Sequence, residues 1–261
     1  MDGRTERYGV AFAVLASVAL LTTGCSQPTV QRHGMVIGIA PEHVGRYKRL
    51  LDDAGPGVRK AMDKANFDSG SLFLGEVGPD RPYLFGYYEY TGRDHDRDAA
   101  RMLESPAMQA WREQAGPLET PLPGSQEGPC WAQWEEVFHH DGPAYDESQI
   151  TSRHGAIVGL AAEHILAYTQ LHAAVWPDVL ATIDRINIRN YSIYLGQVTP
   201  GEYLLFAYFE YIGDDFAGDM EQMADEVTRL WWSYTDPLQV RLPGTPEGQQ
   251  WKALERIFHA E

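Results

Sequence analysis

The chain has 261 residues, 44% hydrophobic and 22% charged, enough apolar content for one large core or two small ones. Its formal net charge of −16 opposes nucleic-acid phosphates and anionic lipid headgroups, so no nucleic acid is expected as a partner. A neutral or cationic small ligand fits that balance.

Arg4 and Arg7 lead into an apolar run from Tyr8 to Thr23, dominated by Val, Ala, Leu and Phe. A membrane-spanning helix needs about 20 apolar residues, so this shorter run reads as the core of a signal peptide. It ends in Leu21-Thr22-Thr23-Gly24-Cys25-Ser26, with a small residue before the cysteine as in bacterial lipoprotein signals. Residues 1–24 are therefore expected to be removed and Cys25 to carry lipid. That would hold the chain on the periplasmic or extracytoplasmic face of a bacterial membrane. A plain secretory signal cut nearby is the alternative. With Cys25 lipidated only Cys130 remains, so no intramolecular disulfide is expected.

The rest is a duplication. The run His33-Gly34-Met35-Val36-Ile37-Gly38-Ile39-Ala40-Pro41-Glu42-His43 returns 121 positions later as His154-Gly155-Ala156-Ile157-Val158-Gly159-Leu160-Ala161-Ala162-Glu163-His164. The same offset of 121 aligns Tyr47 with Tyr168, Phe85 to Tyr90 with Phe206 to Tyr211, and Trp111 with Trp232. Where the offset shortens by one residue to 120, Val137-Phe138-His139 matches Ile257-Phe258-His259. The organisation expected is one repeat over 33–140, a linker rich in Asp, Gly and Pro over 141–152, and a second repeat over 153–261.

Within the second repeat a short strand is predicted at 156–160, then an apolar-periodic helix over about 162–183. Strands follow over Arg189 to Leu195 and over Tyr203 to Tyr211, the latter after the Thr199-Pro200-Gly201 turn. A second helix covers about 216–234, and a last strand lies near 254–259. The acidic runs around Asp94 to Asp98 and Asp214 to Asp219 read as helix starts. The order βαββαβ is the ferredoxin-like arrangement, an α+β unit with one sheet face left bare by its helices. Two copies can cover those faces against each other as a pseudo-symmetric pair in one chain.

Ile165, Tyr168, His172, Val175 and Val179 fall on one stripe of the first helix. A histidine on such a stripe is commonly a satisfied core residue. The twin repeat supplies a control, because the position of His172 is Leu51 in the first copy. Packing there does not demand imidazole. At the same offset Tyr191 faces Gly70, Trp176 faces Gly55, and Trp231 faces Ala110. Imidazole can exchange protons with a sugar hydroxyl near neutral pH, and aromatic faces suit the C–H faces of a sugar ring. No Gly-rich phosphate loop or nucleophile elbow is present, so no cofactor is implied. His139-His140-Asp141 matches no closed zinc pattern and reads as a solvated strand end, so no metal is expected.

Tyr168-x3-His172-x3-Trp176-Pro177, Asn190-Tyr191-x-Ile193-Tyr194-Leu195 and Trp231-Trp232-x-Tyr234 together resemble the successive motifs of the L-rhamnose mutarotase family. The resemblance spans residues 154–261. It implies a dimeric α+β barrel, here formed within one chain, that interconverts the α and β anomers of a small monosaccharide without a cofactor. It implies His172 as the proton donor and Tyr168, Tyr191, Trp231 and Trp232 as sugar-binding residues. The first copy lacks the histidine, so at most one active site per chain is expected. Two alternatives stand beside this: a non-catalytic sugar-binding or structural lipoprotein, and another enzyme of the same architecture, such as a small monooxygenase.

Overall fold

The structure, a computed structural model, describes residues 30–122 and 131–260. The signal segment 1–24, Cys25 and Cys130 lie outside the described residues.

The first repeat runs β1 (Gln31–Ile39), α1 (Val44–Asp63), β2 (Phe67–Gly78), β3 (Arg81–Tyr90), α2 (His95–Leu103), α3 (Pro106–Ala115), β4 (Glu119–Thr120) and β5 (Ala132–His140). The second runs β6 (Ser152–Leu160), α4 (Ile165–His172), α5 (Pro177–Arg185), β7 (Ile188–Thr199), β8 (Glu202–Tyr211), α6 (Phe216–Gln222), α7 (Glu226–Thr235), β9 (Gln239–Val240), β10 (Lys252–Ala253) and β11 (Glu255–His259). Asp94 and Asp215 each cap a helix by accepting a backbone N–H, as the acidic runs suggested. Pro200-Gly201 turns β7 into β8, with Gly201 at φ 83 in the left-handed region that favours glycine.

Three predicted elements differ from those observed. The single helix expected over 162–183 is broken between α4 and α5, with Trp176 extended at φ −63, ψ 135 ahead of Pro177. Proline crowds the Cβ of the residue before it and disfavours the helical conformation there. The first repeat keeps a proline at the same place, Pro56, inside an unbroken α1, because the residue before it is Gly55 and has no Cβ. The helix expected over 216–234 is likewise two, with Asp225 capping the second. The last strand also departs from its own sheet. β5 begins on β1 at Ala132–Trp134 and then pairs with β7 of the second repeat through Glu135–His140. β10 stays on β6, while β11 pairs with β2 of the first repeat.

This exchange closes the molecule. The ladders run β10-β6-β8-β7-β5-β1-β3-β2-β11, all antiparallel, and β10 and β11 are two pieces of one run over 252–259. The sheet therefore returns on itself as a barrel. Its interior is filled from both repeats, by Val36, Phe73, Phe85 and Tyr87 against Ile157, Tyr194, Phe206 and Tyr208. Each such side chain contributes about 1.5–3 kcal/mol by leaving water. Tyr87 and Tyr208, equivalent residues, stack at 3.6 Å and 9°. The repeated glycines Gly34 and Gly155 make room for the other repeat: a Cβ on them would meet the rings of Tyr194 and Phe73 at 2.3 and 2.8 Å.

Residues 141–152 are tied to both halves. Asp141 accepts from Arg32 and from His139, and Tyr145 donates to Glu210. The expectation of a solvated end at His139-His140-Asp141 is thus corrected. The Ser192 hydroxyl donates to Nδ1 of His139 at 2.8 Å, and His140 Nε2 donates to Asp184 at 2.7 Å. These bonds pin the end of β5 to the second repeat.

Candidate active site

The site is built between the helices and the outer face of the sheet in the second repeat. Tyr168 and His172, four residues apart on α4, share a face, and their rings stack at 4.0 Å and 22°. Nδ1 of His172 donates to the Tyr168 carbonyl at 3.0 Å. A carbonyl only accepts, so in the neutral ring Nδ1 carries the proton and Nε2 keeps its lone pair. Trp231 and Phe138 meet the imidazole edge-on at 5.5 and 5.9 Å. Burial in this aromatic jacket lowers the His172 pKa to about 4, the carbonyl bond opposing only in part. The imidazole is neutral near pH 7.

Tyr191 reaches the site through a bulge. Asn190 sits at φ 48 and the ladder to β8 slips between Arg189 and Ser192, which re-aims the next side chain. The Tyr191 ring packs edge-on against Phe138 at 5.4 Å and Phe209 at 5.6 Å, and burial pushes its pKa up to about 12. Tyr168 is fully buried and its ring stacks on the imidazole, so it lies beneath it as a platform. Trp231 is buried at 5% exposure, whereas Trp232 is half-buried and about 100° further round α7. Trp176, in the break between α4 and α5, leans on Trp231 at 5.3 Å and on the exposed Tyr234 at 5.8 Å.

The helix caps shift the pairing of the two repeats by one residue. Asp94 and Asp215 cap α2 and α6 at the expected offset of 121, but Ser105 and Asp225 cap α3 and α7 at an offset of 120. The second repeat is therefore one residue shorter between these caps, and Trp231 matches Trp111, not Ala110. The first repeat has a tryptophan there too, edge-on to Tyr47 at 5.4 Å. With the corrected offset, Gln239 faces Glu119, which accepts from Tyr47 at 2.8 Å, and Asp236 faces Gly116. Asp236 follows α7 in the turn that packs on α4. Burial raises its pKa, and its charge acts on the Tyr168 phenol. Sequence reading missed Asp236 and Phe138; the corrected alignment exposes the first.

In the first repeat the equivalent positions hold packing groups. Leu51 is buried in place of His172, and a Cβ on Gly70 would meet Met62 at 2.5 Å. A cleft of about 320 Å³ beside Arg81, Tyr83 and Val198 and another of about 360 Å³ beside Lys64, Arg101 and Ser105 lie elsewhere; neither borders His172.

Two exchanged βαββαβ repeats closed into one filled barrel, with helices outside, define a dimeric α+β barrel made within a single chain. A family model described as L-rhamnose mutarotase matches residues 32–140 and again 153–260. The chain belongs to the L-rhamnose mutarotase family, isomerases that act on carbohydrates. An L-rhamnose mutarotase of Bacteroides thetaiotaomicron is 28% identical over 95 residues, which is 36% of this chain and 84% of that protein. One from Verminephrobacter eiseniae is 35% identical over 92 residues, 34% of this chain and 77% of that protein. Among solved structures, a Fusobacterium nucleatum protein provisionally described as a monooxygenase superposes with TM-score 0.53 at 11% identity, over 89% of this chain and 94% of that one. That last likeness is one of fold.

Proposed function

We propose that the chain is an exported, lipid-anchored aldose mutarotase for L-rhamnose or a related 6-deoxy sugar, with one active site, in the second repeat. The observation that carries this reading is the neutral imidazole of His172, oriented by the Tyr168 carbonyl where the first repeat has only Leu51. Its Nε2 lone pair accepts the proton of the anomeric hydroxyl. As that oxygen becomes the aldehyde carbonyl, the bond from the anomeric carbon to the ring oxygen breaks, and the ring oxygen takes up a proton. Rotation of the open aldehyde and reclosure on its other face reverse these transfers and give the other anomer. Acceptance first and donation second follow from the low pKa, although the resemblance named His172 as donor.

Tyr191 and the indoles of Trp231 and Trp232 supply polar tips and C–H-stacking faces suited to a pyranose. The sugar is admitted past Trp176, whose ring meets Trp231 and Tyr234 edge-on in the non-helical break. Acid–base assistance of about 10²–10⁴-fold suffices for so easy a reaction. Saturation-transfer NMR on mixed rhamnose anomers tests this directly. The chain should speed exchange between the two anomeric protons and His172→Ala should not; equal exchange with both defeats the assignment. Export rests on the signal motif ending at Cys25, so Cys25→Ala should leave the membrane fraction. Retention of that variant on membranes argues against a lipid anchor.

A further inference from the structure

Because each repeat gives its last strand to the other, equivalent side chains of β5 and β11 arrive under the helices of opposite repeats. Phe138 and Phe258 form such a pair. Phe138, 8% exposed, is edge-on to His172 at 5.9 Å and 79°, and to Tyr191 at 5.4 Å and 81°. It thus touches the two polar side chains whose twins are Leu51 and Gly70. Phe258 has other neighbours. Its ring lies 3.1 Å from where a Cβ on Gly55 would stand, and the Arg59 guanidinium sits over it at 5.5 Å.

We infer that Phe138 is a positioning residue for the reaction in the second repeat: its ring edges hold the His172 imidazole and the Tyr191 phenol in a fixed relation, so one strand of the first repeat completes the site. The inference rests on the mutarotase reading and names what that site borrows. Tyr168 covers one face of the imidazole, Trp231 and Phe138 meet it edge-on, and Phe138 meets Tyr191 as well. Without that ring, the imidazole gains room to move, and water reaches it. Displacements of about 1 Å in reacting groups lower rates by about 10²-fold. The first repeat, with Leu51 where the second has His172, in this sense still contributes to the working site.

The duplication supplies a matched control, since Phe138→Leu and Phe258→Leu make the same change at equivalent strand positions. Anomer exchange is measured for both together with the NMR titration of the His172 imidazole. Phe138→Leu should lower kcat by about 10–100-fold with a smaller change in KM. It should also move the His172 titration up from about 4 toward the ordinary histidine range. Phe258→Leu should leave both at wild-type values. If Phe138→Leu does not fold, Phe138→Met, which also lacks ring edges, carries the same expectation. An unshifted His172 titration in the Phe138 variant, or an equal shift in the Phe258 variant, overturns the inference whether or not sugar is turned over. A wild-type chain that fails to speed exchange overturns the mutarotase reading instead.

Discussion

An imidazole with a pKa of about 4 is a modest base that is available at every physiological pH. Its lone pair is protonated only when the pH falls to its own pKa, so acceleration that depends on Nε2 persists well below the ordinary histidine value. The sign follows from burial, which disfavours the charged form and lowers the pKa of a cationic acid. We expect the His172-dependent part of anomer exchange to be level from pH 8 to about 5, then to fall about tenfold per unit below 4. A rate profile with its inflection near 6.5 contradicts the buried, neutral imidazole. The twin residues sharpen which groups matter. Trp231 has Trp111 opposite it and Tyr168 has Tyr47, so both positions are satisfied by packing in a repeat that lacks the histidine. The side chains with no like counterpart in the first repeat are therefore His172, Tyr191 and Asp236, opposite Leu51, Gly70 and Gly116.

At the scale of elements, the strands and their order were legible because alternation, turn residues and an internal repeat all point the same way. The helix break was not. The run from Ile165 to Ile183 keeps its apolar period through Trp176-Pro177, and period alone cannot register a clash between a Cβ and the next proline ring. The contrast with Gly55-Pro56 in an unbroken α1 shows that the preceding residue decides the outcome. The one-residue offset was hidden for a related reason. Two adjacent tryptophans, Trp231 and Trp232, allow Trp111 to be matched with either, and only the caps Ser105 and Asp225 settle the choice. The bulge at Asn190, which aims Tyr191, leaves no trace in the pattern of side chains except an Asn suited to positive φ. Phe138 was out of reach for another reason. Its part in the site depends on strand exchange, a pairing between residues of different repeats.

For the whole molecule, the exchange decides what a single repeat can do. Residues 153–261 alone would leave β7 without β5 and β11 without β2, each edge with unpaired backbone groups. The barrel-facing side chains Ile157, Tyr194, Phe206 and Tyr208 would lose Val36, Phe73, Phe85 and Tyr87. A bare apolar face of that kind drives association. Two copies of the second repeat can restore what is lost, because β11 of one can pair with β7 of the other as β5 does in the intact chain. Phe258 would then stand where Phe138 stands, against His172 and Tyr191 of the mate. The isolated repeat should therefore sediment as a dimer and speed anomer exchange at two sites per dimer. A stable monomer in sedimentation would mean that the sheet face needs no cover, and that the two halves of this chain are joined by the linker more than by their shared barrel.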